Sequence, residues 1–455
     1  MSPDQQHLQE RLTELARKHG VVGASLAVRL GDEQAVAATG VLNLRTQQPA
    51  TPESVFQFGS ITKVWTATLV MQLVDEGLLD LDEPVVRYIP EFKVASPSLT
   101  AAVTTRHLLD HTSGIDGDYF PDFGRGDDCL ARYVEGMAGL EQVHPLGATM
   151  SYCNTAFVFL GRLVEVLRGT TWDQALTRHL IAPLGLEAAG TLPEEALLWG
   201  AATGHLVPPG ANGPVVAPQW GLPRAAGPAG LIHGRATDLL AFGRLHLPDG
   251  PKDVLSPTSI EAMRVPHVEV PDRWTFGGHI GLGWMLYDWG RPVFGHDGST
   301  LGQNAFLRVL PAHEERPALV VALCTNGGET RDLYYDVVEE VVSTYGGAVM
   351  PTRIEPPSSP FPFDPSRYVG TYARESMAHE VVERDGELVM ITRPSGVLAT
   401  AVGADLFEEP LLAFAEDAFL TRLPTVSGWL PVAFYGLADG SRYLHLGGRA
   451  TPRTR

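Results

Sequence analysis

The chain has 455 residues, of which 34 are Lys or Arg and 53 are Asp or Glu, giving a formal charge of −19. So acidic a protein repels nucleic acid and anionic membrane surfaces, and neither is expected as a partner, although a cleft's local field can still suit a small charged substrate. With 44% hydrophobic residues it is an ordinary globular chain with a substantial core, long enough for one large domain and one small one.

Residues 1–20 are polar and charged, with Leu8, Leu12 and Leu15 at helical spacing. They lack the apolar core of a secretory signal, and no later stretch is apolar enough to span a bilayer, so the protein is expected in the cytoplasm. Residues 21–29, a Gly31-Asp32 turn and residues 35–40 predict a β-hairpin. Next comes Phe58-Gly59-Ser60-Ile61-Thr62-Lys63, leading into an apolar period of Val64, Trp65, Leu69, Leu73 and Val74 that Gly77 ends. Residues three apart share a helical face, so the Lys63 amine can reach the Ser60 hydroxyl. The helix start adds free N–H groups and partial positive charge, which favour an oxyanion. Gly59 allows a tight entry turn. The plainer alternative is a helix-capping Ser60 beside a solvated Lys63, since S-x-x-K is frequent by chance.

Cys129, Cys153 and Cys324 are too few and too scattered for a disulfide framework. No zinc motif is present; His107 and His111 have i, i+4 spacing but read as packing residues, so neither metal nor cofactor is expected. Ser151-Tyr152-Cys153-Asn154 precedes a helical run at 157–167. A phenol and an amide two residues apart can face one side of an extended turn, one as proton relay and the other as carbonyl holder. The alternative is a turn with a half-buried tyrosine. Cys153 itself reads as a small packed residue. Residues 204–227 are dense in Gly and Pro around Trp220 and Leu222, which suits either a pocket wall or an ordered surface excursion. Phe294-Gly295-His296-Asp297-Gly298-Ser299-Thr300 precedes a strand-like run at 305–310 and could present the Ser299 N–H to a cleft; otherwise it is a hairpin with a surface histidine.

Near residue 351 the chain becomes proline-rich, and 351–365 reads as a semi-rigid linker. Short alternating runs follow at 368–372, 380–383, 388–392, 419–423, 432–435 and 443–446, with Asp385-Gly386 and Asp439-Gly440 turns, as in an up-and-down barrel or sandwich.

Taken in order, Ser60-x-x-Lys63, Tyr152-x-Asn154 and His296-x-Gly298 resemble the signature elements of the penicillin-recognising serine hydrolase superfamily, which includes class C β-lactamases, D-alanyl-D-alanine carboxypeptidases, D-aminopeptidases, esterases and some acyltransferases. The resemblance spans residues 8–345, with His111-Thr112-Ser113-Gly114, residues 147–154 and Gly227-Pro228-Ala229-Gly230-Leu231 as further landmarks. It implies an α/β (α+β) fold: a β-lactamase-like domain over 1–350, with an antiparallel sheet flanked by helices, then a lipocalin-like β-barrel over 366–455. Tyr368-Val369-Gly370-Thr371-Tyr372 resembles the opening strand of that barrel.

By the same resemblance Ser60 is the acylated nucleophile, Lys63 and Tyr152 share its proton, Asn154 orients the acyl carbonyl, and the N–H groups of Ser60 and Ser299 form the oxyanion hole. Gly298, Trp220, Gly230 and, from the barrel, Arg449 are candidate substrate contacts. Many β-lactamases carry lysine where this chain has His296, so efficient β-lactam hydrolysis is not expected. The chain most resembles stand-alone penicillin-binding-protein-type thioesterases, which take a peptide, usually ending in a D-residue, from a carrier-protein thioester and close it head to tail. The expected partner is thus a peptidyl carrier protein or a small peptide or ester. Carrier proteins are acidic, which disfavours long-range attraction to this chain. A cytoplasmic esterase or D-stereospecific amidohydrolase is the alternative, and a non-catalytic binding scaffold a third reading that the intact motifs disfavour.

Overall fold

The computed structural model describes residues 2–208, 213–395, 406–423 and 426–454. Helix α1 (Gln5–Lys18) starts at Asp4, whose carboxylate accepts from the N–H groups of Gln6 and His7, and it buries Leu8, Leu12, Leu15 and Ala16. The hairpin follows as β1 (Gly23–Leu30) and β2 (Glu33–Gly40). They join β3 (Val268–Glu269), β4 (His279–Ile280), β5 (Met285–Asp288), β6 (Pro292–Ser299), β7 (Asn304–Leu310) and β8 (Leu319–Thr325) in an antiparallel sheet ordered β2-β1-β8-β7-β6-β5-β4-β3.

Strand β8 is buried along its whole length because helices cover both faces of the sheet. On one face α1 and α5 (Thr330–Val341) close a core with Phe306, Leu323, Leu333 and Tyr334. On the other lie α2 (Thr62–Asp75), α3 (Asn154–Arg168) and α4 (Ala236–Leu245), in a larger core where Trp65 stacks on Phe242 with centroids 4.0 Å apart. Helix α2 is buried almost all round, as expected of a helix wedged between a sheet and other helices.

The chain runs without helix or strand through 351–364 and then forms β9 (Gly370–Arg374), β10 (Met377–Arg384), β11 (Glu387–Pro394), β12 (Phe407–Ala415), β13 (Ala418–Leu423), β14 (Val426–Gly436), β15 (Arg442–Leu446) and β16 (Arg449–Pro452). Each strand pairs antiparallel with the next, and the Tyr372–Arg453 bridge brings the two edges together into a nearly closed up-and-down barrel. Its interior is packed: Phe419 meets Tyr368 and Phe434 edge to face, over Tyr372, Leu388 and Leu444. Among the described residues no helix is long and apolar enough to cross a membrane.

Candidate active site

The first of the three elements enters the site through a single 3-10 turn, Gly59–Ile61, which leads directly into α2. Ser60 stands at its half-buried mouth and Lys63 is wholly buried beneath it. Lys63 Nζ lies 3.1 Å from Ser60 Oγ and donates to the Ala229 carbonyl at 2.7 Å. Burial, assisted by the nearby Arg449 guanidinium, holds the Lys63 amine well below the usual lysine range. That shift favours the neutral form of the amine, which has a lone pair for the Ser60 proton.

Tyr152 reaches the same hydroxyl from the segment before α3, and its phenol is hydrogen-bonded with Ser60. Burial raises the phenol above its ordinary range, more than the Ser60 hydrogen bond and Arg449 lower it, so Tyr152 stays un-ionised. Its ring lies 5.0 Å from Lys63 Nζ, 5.0 Å from the Arg449 guanidinium, and stacks on Phe276 and His111 at 5.5 and 4.5 Å. His111, read from the sequence as a packing residue, is thus part of this cluster. Its backbone has φ +62°, unusual for a residue with a side chain. Its Nδ1 accepts the Cys153 N–H at 3.0 Å, which puts the ring proton on Nε2. Cys153 caps α3, its Sγ accepting from the Ala156 N–H at 3.3 Å, and burial raises its thiol to about 12. That suits a packed residue and not a nucleophile.

The third element is β6. His296 is buried at 1% exposure, not a surface residue, and its Nδ1–H donates to the Asp297 carbonyl at 2.6 Å. Burial, with Lys63 nearby, lowers its imidazole to about 3, so His296 offers no positive charge where many β-lactamases place a lysine. Two glycines let β6 approach the nucleophile turn. Gly59 has φ +52°, and a Cβ there would sit 2.6 Å from the Ser299 nitrogen. A Cβ on Gly298 would sit 1.8 Å from the Phe58 carbonyl oxygen and 2.9 Å from the Ser60 nitrogen. The N–H groups of Ser60 and Ser299 are brought side by side by these bare backbones.

Asn154 opens α3 and donates from Nδ2 to Asp118 Oδ1 at 3.2 Å. Asp118 also accepts from Arg449, at Nη2 (2.9 Å) and Nε (3.3 Å), and pairs with Arg374 Nη2 at 2.8 Å. Both arginines belong to the barrel. Its β15–β16 turn braces the Tyr152 segment as well: Tyr152 N–H donates to the Gly448 carbonyl at 2.7 Å, and Ala450 N–H to Ser151 Oγ at 3.1 Å. Arg449, Asn154 and Tyr152 are thereby brought together. Gly230 follows the carbonyl that Lys63 contacts, its Cβ position 3.7 Å from Leu222 and 3.9 Å from Gly59. Trp220 stands apart from this group: its Nε1–H donates to the Ala202 carbonyl at 2.8 Å, and its ring packs on Val55, Ala188 and Ala196. Among the described residues no group of His, Cys, Asp or Glu is arranged to hold a metal ion.

Sequence reasoning missed His111, Asp118, Arg374 and Phe276. His111 alone carried a signal, as the first residue of the His-Thr-Ser-Gly landmark.

The β-lactamase family model matches residues 7–340, and the chain belongs to that family, as a β-lactamase-like serine hydrolase enzyme. It is 45% identical over 383 residues to penicillin-binding protein 4 of Amycolatopsis lactamdurans, covering 82% of this chain and 99% of that protein. It is 30% identical to SurE in its structure with D-Leu, with a TM-score of 0.75 and 99% of each chain covered. The D-amino acid amidase of Ochrobactrum anthropi SV3, in complex with L-phenylalanine amide, shares the fold at 23% identity and a TM-score of 0.60, over 74% of this chain and 98% of its own.

Proposed function

We propose that this enzyme takes a peptidyl chain ending in a D-residue from a carrier-protein thioester onto Ser60 and releases it by head-to-tail macrolactam formation. The observation that carries the chemistry is the buried Lys63 amine 3.1 Å from the Ser60 hydroxyl, with the Tyr152 phenol beside the same oxygen. Lys63 takes the Ser60 proton as Oγ attacks the thioester carbonyl. The oxyanion is met by the Ser60 and Ser299 N–H groups, and the thiol leaves with a proton passed through Tyr152. In the second half the peptide's own amine attacks the ester, the proton returns to Ser60, and the ring is released. Asn154 holds the acyl carbonyl, His296, Gly298 and Gly230 line the site, and Arg449, held by Asp118 and the Gly447 carbonyl, is a contact for the peptide.

The D-residue and the whole-length organisation are supported by the likeness to SurE with D-Leu, which extends through the barrel. The likeness to penicillin-binding protein 4 favours a second reading of the same serine, as a slowly acylated penicillin target.

The test is intact-protein mass spectrometry with a linear peptide thioester that ends in D-leucine and carries a free N-terminus. An acyl adduct on Ser60 and a product one water lighter than the linear acid are expected. An adduct that yields only the linear acid would reduce the reading to that of a hydrolase.

A further inference from the structure

Asp118 has 3% of its side chain exposed and no direct contact with Ser60, yet three side chains converge on its carboxylate: Arg449 through two nitrogens, Arg374 through one, and the amide of Asn154. A carboxylate flanked by two guanidinium groups is ionised and can only accept, so the nitrogen of the Asn154 amide must face it. That fixes the amide's orientation and leaves its oxygen and its second N–H for the site. Arg449 is oriented in the same way, by a bidentate contact that uses only part of its five donors.

The second anchor lies one layer further out. Arg374 lies on β9 and reaches Asp116 Oδ1 at 3.4 Å as well, while Asp116 Oδ2 accepts the Glu375 N–H at 3.2 Å. Between the two acids, the Gly117 carbonyl accepts from the N–H groups of Asn154 and Thr155 at 3.0 and 3.3 Å. The 116–118 segment lies flat against the Tyr152–Asn154 backbone: a Cβ on Gly117 would come within 2.6 Å of Cys153 Cα and the Tyr152 carbonyl oxygen. Besides the β15–β16 turn on the Tyr152 segment, the barrel therefore reaches the acyl site through two arginines, directly through Arg449 and indirectly through Arg374.

We infer that Asp118, locked by Arg374 from the barrel, is the positioning residue that sets the Asn154 amide and the Arg449 guanidinium beside Tyr152. The inference rests on the reading of Asn154 as the group that holds the acyl carbonyl. Arg374 adds a second guanidinium on Oδ2 and ties the carboxylate to β9, so that Oδ1 stays in place for the Asn154 amide.

A double-mutant cycle tests this, with the p-nitrophenyl ester of N-acetyl-D-leucine as the acylating probe. Asp118→Ala in the otherwise native enzyme is expected to slow acylation about 30-fold, mainly in kcat, and to slow the Asn154→Ala enzyme less than about 3-fold further. Arg374→Ala should fall in the same direction. Equal losses in both backgrounds would mean that Asp118 acts only on the fold, and would overturn the inference. Crystal structures of Asp118→Ala and Arg374→Ala decide the matter without activity. The Asn154 amide and Arg449 guanidinium should leave their positions while the Ser60–Lys63 pair stays, and finding both groups undisplaced would refute it. A wild-type enzyme that the ester fails to acylate would count against the acyl-serine reading, while the crystal structures would still decide the role of Asp118.

Discussion

Lys63 carries its amine to the floor of the site, where removal from water holds it well below an ordinary lysine. The base is the neutral form, so acylation should rise with pH through the Lys63 ionisation and level off above it. The limb should fall well under the usual lysine value of about 10.4. A kcat/KM profile that climbs only near that value would show an amine in contact with water. No histidine limb from His296 is expected between pH 5 and 8, because burial lowers its imidazole to about 3; burial shifts His111 in the same direction. Desolvating an ionisable group also opposes folding: burial penalises the charged form of Lys63 in the folded chain and not in the unfolded one. Lys63→Met should therefore abolish acylation yet leave thermal stability equal or higher by about 1 kcal/mol, read as an unchanged or raised Tm. A marked fall in Tm would mean that the Ala229 hydrogen bond outweighs the desolvation penalty. At this scale Ser60, Lys63, Tyr152, Asn154 and His296 were legible, because each stands in a short motif. His111 was legible only as a landmark and a packing residue, and Asp118 not at all, because their partners lie tens or hundreds of residues away.

Where β6 meets the turn before α2, two backbones pass closer than side chains allow, and glycine on both sides is the condition for it. Gly298→Ala forces them apart and moves the Ser299 N–H from the nucleophile. A loss of about 100-fold or more in acylation is expected, with most of the far-UV circular dichroism retained; a variant that keeps near-normal turnover would place the oxyanion donors elsewhere. Element prediction succeeded where periodicity was strong: the hairpin β1–β2, helix α2 with its end before Gly77, and six of the barrel strands. Strand β12 escaped notice because Glu408, Glu409 and Pro410 precede consecutive Leu411 and Leu412, which breaks the alternation that marks a strand. The four residues of β16 are too few to show a period at all.

Over the whole molecule the net charge of −19 makes a rate prediction. Against an acidic carrier protein, repulsion slows encounter and salt screens it, so kcat/KM for a carrier-bound peptide should increase as ionic strength rises. The same peptide on a small neutral thiol should show no such rise. A decrease with salt for the carrier would reveal a local basic docking patch that outweighs the net charge. The barrel itself was legible as a domain from its turns and alternation, but its contribution to the site was not, because that depends on tertiary contacts over great separations. The bond from Ala450 to Ser151 joins residues 299 positions apart. Contacts that distant close late in folding, since the intervening chain must first be ordered. During refolding the sheet and helices should thus regain their spectroscopic signal first. Reactivity at Ser60 should lag behind, its tyrosine in place only when the barrel's last turn arrives.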